Sequence, residues 1–154
     1  MTSAIASIYS ALAAKTVTVG TVTPTVYSLA AIPHGADTAI LPCRILLPMG
    51  NNPTGGDGFR FIAMGSSAKV EWQIVDLLLW EASSQGRGIE DVAPDLLAYC
   101  GAYVDMLRTF TAPTAQSHLV SANCVPGMYQ YPAGAGNSYF GVLCTLVVEE
   151  ALVG

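Results

Sequence analysis

Charge is the scarcest feature of this sequence. Only 11% of its 154 residues are Asp, Glu, Lys or Arg, against about 25% in an ordinary soluble domain. The six basic residues, Lys15, Arg44, Arg60, Lys69, Arg87 and Arg108, are scattered, and the net charge is −5. A large basic surface that grips nucleic acid is therefore excluded. A neutral or acidic ring could still surround DNA without holding it.

Catalytic groups are equally sparse. His34 and His118 are the only histidines. "IPHGAD" places His34 near Asp37, but in a turn, where a surface histidine is expected. His118 stands beside Ser117 with no acid close in sequence. There is no G-x-S-x-G, no H-E-x-x-H and no phosphate loop, and "GGDG" lacks the Lys-Ser/Thr that a phosphate loop carries. No enzymatic activity, cofactor or metal is expected. Cys43, Cys100, Cys124 and Cys144 form no C-x-x-C pair and have no neighbouring His. In apolar settings such as "LPCRILLP" and "FGVLCTLVV" they read as free buried thiols in a reducing cytoplasm.

Long hydrophobic runs are missing as well. "VLCTLVVEEALV" is broken by Thr145 and the Glu149-Glu150 pair, well short of the roughly 20 apolar residues that a spanning helix needs. "MTSAIASIYSALAAK" lacks the basic start of an export signal and has amphipathic spacing, so it reads as mature structure. No membrane partner is expected.

Apolar residues are abundant, at 52%, in a chain of one-domain length. In "KVEWQIVDLLLW", Val70, Trp72 and Ile74 alternate with Lys69, Glu71 and Gln73, as in a half-buried strand. From Val75 the polar face ends: Val75, Leu77 and Leu79 occupy it, while Leu78 and Trp80 continue the first face. Such a strand needs a cover on both faces. In the last strand Phe140, Val142, Cys144, Leu146 and Val148 face one way, and Tyr139, Leu143 and Val147 the other. Asp76, the one acid inside an apolar run, is expected to pair with Arg44 or Arg60 on an adjacent strand. Trp72 and Trp80 suggest core, interface or a ligand platform.

Around these strands the spacing predicts a helix capped by Thr2 or Ser3 with an Ile5, Ile8, Tyr9 and Leu12 stripe. "TVTVGTVTPTVYSLA" follows as strand, turn and strand, or as an extended arm. "TAILPCRILLPMG" is a strand whose Pro42 suggests an edge or a bulge. "NNPTGGDG" is a loop, and "FRFIAM" forms a hairpin with the long strand around "GSSA". Asp91 is a candidate cap for a second helix, with Pro94 in its first turn and Leu96, Tyr99, Cys100, Tyr103, Leu107 and Phe110 on its apolar side. Two strands joined by "AGAGN" close the chain. The predicted class is α+β: a single domain over 1–154, with an antiparallel-rich sheet and two main helices on one face.

The opening amphipathic helix, the "LPCRILLP" strand, the Gly-rich loop, "VEWQIVDLLLW", the acid-started helix "EDVAPDLLAYCGAYVDML" and the closing "YFGVLCTLVVEE" together resemble the tail terminator proteins of long-tailed bacteriophages. The resemblance covers nearly the whole chain and is one of order and texture. It implies a non-enzymatic virion protein, assembled in the host cytoplasm, that forms a hexameric ring. The ring caps the tail tube, stops its growth and meets the head-side connector, and DNA passes through without specific binding. Its partners are then itself, the tail tube protein and the connector or neck protein. Under that reading Trp72, Val75, Leu77, Leu79, Trp80, Leu143 and Val147 are the expected subunit interface. Asn51, Asn52, Thr54, Gly55, Gly56, Asp57, Ala133 and Gly134 are the expected partner-contact loops, and "TVTPTVYSLAAIPHGADTA" is long enough to be an arm reaching a neighbour. Other neck, tail-completion or tail-tube proteins share this size and composition. A binding module built on the two tryptophans and a small hydrolase built on either histidine are the readings from other classes.

Overall fold

The structure is a computed structural model that describes residues 3–34, 39–47, 59–132 and 136–152. It is an α+β domain. Helix α1 (Ile5–Ala13) opens it, followed by β1 (Thr25–Tyr27), β2 (Cys43–Leu47), β3 (Phe59–Met64), β4 (Ser67–Ala82), helix α2 (Ile89–Thr109), β5 (Ser117–Tyr131) and β6 (Asn137–Leu152). The strands form one six-stranded sheet in the order β1-β2-β4-β6-β5, with β3 pairing the first half of β4. Every pairing is antiparallel except that of β1 with β2. Successive strands joined by short turns pair directly: Gly65, at φ 64°, supplies the left-handed residue between β3 and β4.

Both helices pack on one face of the sheet. Ile8, Tyr9 and Leu12 from α1 and Val92, Leu96, Tyr99, Tyr103 and Met106 from α2 bury against Leu46, Ile74, Leu78, Phe140, Val142, Cys144, Leu146 and Val148. The alternation in β4 and β6 is thus the one the sequence predicts. Two residues mark where the β4–β6 pairing becomes irregular or unusually close. Trp80 is an extra residue where the β4–β6 register shifts between Leu79 and Glu81. Opposite Leu79 stands Gly141, where an added Cβ would lie 1.9 Å from the Leu78 carbonyl oxygen. Only glycine lets the two backbones approach this closely.

The sheet also secures α1 at both ends. That helix has no acid in its first turn and no base in its last, so it cannot complement its own dipole. Glu150, from β6, accepts the Ala4 N–H at 2.7 Å, the Ser3 hydroxyl at 2.9 Å and the Trp72 indole N–H at 3.0 Å. Ser3 in turn accepts the Ile5 N–H at 3.2 Å, but it stands one residue before the N-cap position, which is Ala4, so the expected side-chain cap from Thr2 or Ser3 is replaced by the Glu150 carboxylate. At the other end Arg44, from β2, donates to the carbonyls of Leu12 and Lys15.

Two local expectations need correction. Pro42 does not interrupt a strand. It precedes β2 after a cis Leu41–Pro42 bond, and β2 is an internal strand, buried along its whole length. Helix α2 begins two residues before the expected cap. Gly88 is the N-cap residue, and its N–H donates to the Asp91 carboxylate at 3.3 Å while the Asp91 N–H returns to Gly88 O at 3.1 Å. Asp91 therefore acts from the third helical position, as the acid of a capping box does.

Candidate assembly surface

The second face of β4 is covered by its own chain. Cys43, Ile45, Leu47, Val75, Leu77, Leu79, Ala82, Tyr131, Tyr139 and Leu143 form a second core, and Tyr27, Ile32, Ile40 and Leu41 pack against it. The Tyr131 hydroxyl donates to the Pro33 carbonyl, which ties this segment to the far side of the sheet. This corrects the expected interface. Val75, Leu77, Leu79 and Leu143 are at most 4% exposed within the single chain and cannot meet a neighbour. The segment expected to reach a neighbouring subunit instead adds β1 to its own sheet and lays Tyr27 and Ile32 on the second core.

Trp72, Trp80 and Val147 are half-buried. Trp80 packs toward the helix layer. Trp72 sits under the Phe59 ring, with centroids 5.6 Å apart, and donates to Glu150. Eight residues of strand put the two tryptophans roughly 25 Å apart, so they form no shared ligand platform. The expected contact loops, Asn51, Asn52, Thr54, Gly55, Gly56, Asp57, Ala133 and Gly134, lie outside the described residues.

Beyond Gln73 the second face becomes polar and open to solvent. Arg60 lies 3.8 Å from Glu71, Lys69 is 2.8 Å from Glu149, and His118 is 3.8 Å from Glu149 across the strand. His118 therefore has an acid near it, one that its sequence neighbourhood does not reveal. The hydrogen bond from Lys69 holds the Glu149 carboxyl below its ordinary range, and the same bond raises Lys69.

Apolar exposure falls at the two sides of the sheet and on α2, where Ile89, Leu97 and Val104 are 45–62% exposed. On β3, Phe59, Phe61 and Met64 are 53–56% exposed; on β5, Val120, Val125 and Met128 are 45–59% exposed. Among the described residues no strand pairs with the outer side of either. Free edges are normally blunted with charge, especially Lys. Strand β5 runs for 15 residues, "SHLVSANCVPGMYQY", without one Lys, Arg, Asp or Glu. Only Pro126 and the register shift between Leu119 and Ser121 interrupt it. The sequence shows this lack of charge, but it does not show that the strand is an edge.

Asp76 is paired as expected. Its carboxylate accepts Arg44 Nε at 2.8 and 2.9 Å and the Tyr103 hydroxyl at 2.6 Å, all buried beneath α2. Burial alone would lower the Arg44 guanidinium, but the charge of Asp76 outweighs it and holds the group above its ordinary value. This triad joins sheet, α1 and α2 and is closed to solvent, so its role is architectural. Among the described residues two open grooves stand out. One, about 640 Å³, holds His118, but its hydroxyls on Thr114 and Ser117 bond each other at 2.7 Å. The other, about 520 Å³, runs between Lys15 and Asp105. His34 is exposed, and Asp37 lies outside the described residues. Among those residues no group of His, Cys, Asp and Glu is arranged to hold a metal, and no helix is long and apolar enough to cross a membrane.

No protein-family model, curated protein or solved structure matches the chain. What stands from the geometry is the class: an α+β domain with a two-sided core and two dissimilar, apolar sheet edges that are unpaired among the described residues.

Proposed function

We propose that this protein is a ring-forming structural subunit of a phage tail, acting as the terminator that caps the tail tube and joins it to the head-side connector. The observation that carries the proposal is the uncharged β5 edge with its exposed apolar side chains. A long free edge without charge is an association hazard in a monomer, and burial in an assembly removes it. The β3 edge on the other side of the sheet presents a different apolar set, Phe59, Phe61 and Met64. Two dissimilar patches on opposite sides are what a head-to-tail contact needs, and such contacts close into rings. The resemblance in element order supplies the position in the virion, and the net charge of −5 suits a channel that DNA crosses without sticking.

Native mass by light scattering tests the ring, run over a range of concentrations and repeated with tail tubes. A stable multiple of the 16.0 kDa chain, alone or on the tubes, supports the proposal. Edge variants make the test specific. Phe61→Lys on β3 and Val125→Asp on β5 should each abolish the ring, while an equimolar mixture should recover one intact contact and stop at a dimer. A chain that stays monomeric at high concentration and neither binds tubes nor halts their growth overturns the proposal.

A further inference from the structure

The β5–β6 hairpin sets Cys124 directly opposite Cys144, and their sulfurs lie 2.8 Å apart. A disulfide bond is about 2.05 Å long, so closure asks the sulfurs to move by less than about 1 Å. Directly opposed residues of an antiparallel pair have Cα atoms about 4.5–5.5 Å apart, within the range a disulfide accepts. The two thiols differ in access. Cys124 is half-buried on the edge strand, whereas Cys144 is buried in the sheet beneath the helices. The hydrogen bond from Cys144 lowers Cys124 below the ordinary thiol value; burial, and then the same bond, raises Cys144. Of the remaining thiols, Cys100 on α2 packs against the same core, and Cys43 lies on the opposite face of the sheet.

We infer that Cys124 and Cys144 are a dithiol site that closes to a cross-strand disulfide, with Cys124 as the attacking thiol and a low-molecular-weight disulfide such as glutathione disulfide as the oxidant. The Cys124 thiolate attacks one sulfur of glutathione disulfide, forming a mixed disulfide and expelling one glutathione thiolate. The Cys144 thiol gives its proton to that leaving thiolate, attacks Cys124 Sγ and expels the second glutathione. Two protein thiols are oxidised by two electrons, and one disulfide is reduced to two thiols. The new bond pins the middle of the edge strand to β6. It constrains the unfolded chain as well, through a loop whose ends are 20 residues apart. This chemistry does not depend on the ring proposal, although it acts on the strand that proposal uses.

The test is incubation of the reduced, full-length chain with excess glutathione disulfide, followed by acid quench, alkylation and peptide mapping without reductant. The expected product has lost the mass of two hydrogens, carries one Cys124–Cys144 cross-link and melts roughly 5–10 °C higher. Dithiothreitol should reverse all three. Cys100→Ser should form the same bond, and Cys124→Ala should form none. All 4 cysteines remaining alkylatable after prolonged oxidation overturns the inference. So does a lasting glutathione adduct on Cys124, a cross-link to Cys100, or one between two copies.

Discussion

Removing the carboxylate of Asp76 should be among the most damaging single changes available in this chain. The Arg44 and Asp76 side chains are 1% and 0% exposed. Asp76→Ala leaves a buried guanidinium with, among the described residues, only the carbonyls of Leu12 and Lys15 as hydrogen-bond partners, and removes the acceptor of the Tyr103 hydroxyl. Breaking a buried pair from one side costs about 3–5 kcal/mol. In a domain of this size that is a fall in Tm of roughly 6–20 °C. Urea unfolding followed by tryptophan fluorescence, with the slope checked for constancy, gives the free energy directly. The internal control is Glu71→Ala. Its partner Arg60 has a side chain 75% exposed at 3.8 Å, and such a pair contributes about 0–1 kcal/mol. The double variant Arg44→Met/Asp76→Leu removes both charges and should be more stable than either single change, because no uncompensated ion remains. It should still fall short of the original protein, since Arg44 also serves the end of α1. An Asp76→Ala protein within about 1 kcal/mol of the original, or a double variant as unstable as the two single changes added together, refutes this account.

Tyr99 should tolerate loss of its hydroxyl: that oxygen is buried without a hydrogen-bond partner among the described residues, so Tyr99→Phe should leave stability unchanged or raise it by about 1 kcal/mol in urea unfolding, and a loss above that size points to a hidden partner. Gly141→Ala should cost about 1–3 kcal/mol by the same assay, because the added Cβ would lie 1.9 Å from the Leu78 carbonyl; a neutral result means the strands separate there. Lys69→Met should return the Glu149 carboxyl upward toward its ordinary range, read by carboxyl NMR titration, since the Lys69 hydrogen bond is what lowers it. The sign follows from linkage. A lowered carboxyl stabilises above its unfolded pKa and loses that contribution as pH falls through the folded one; the raised Lys69 stabilises below its unfolded pKa and loses its contribution as pH rises through the folded one. An unmoved Glu149 titration shows that the pair is not formed in solution.

Local periodicity carried much of the fold. It gave the amphipathic stripe of α1, the two faces of β4 and β6, both hairpins, and Arg44 as one of two candidates for Asp76. Apart from the start of α2, where Gly88 rather than Asp91 is the N-cap residue, the failures are long-range. Glu150 secures a helix start 146 residues away, and no local pattern announces such a contact. Pro42 read as a break in a strand because sequence does not show where pairing begins. The facing cysteines were nearly within reach of the sequence: Cys124 stands nine residues before the "AGAGN" turn and Cys144 seven after it, so a hairpin there brings them close, and the pairing of Tyr131 with Asn137 sets them directly opposite. Reading the four thiols one at a time hid a relation that the predicted hairpin already contained.

A strand apolar on both faces invites the inference of a subunit interface, but the inference holds only if the chain has nothing else to lay across the second face. Here it does. Tyr27 and Ile32 come from the stretch that looked too long for a connection, Ile40 and Leu41 follow directly after it, and the length of that stretch is explained by the face it spans. Covering Val75, Leu77 and Leu79 internally does not remove the compositional puzzle; it moves it. A chain with 11% charged residues must still present an exterior, and along β5 that exterior is Ser, Ala, Asn, Val, Pro and Met on an unpaired edge. The case for assembly thus passes from the two-faced strands, which are ordinary core, to the margins of the sheet. There the free backbone, the missing charge and the exposed Val125 and Met128 coincide with a second, different apolar margin at Phe59 and Phe61. A dimer related by a two-fold axis would use one such margin twice and leave the other bare. A head-to-tail ring buries both.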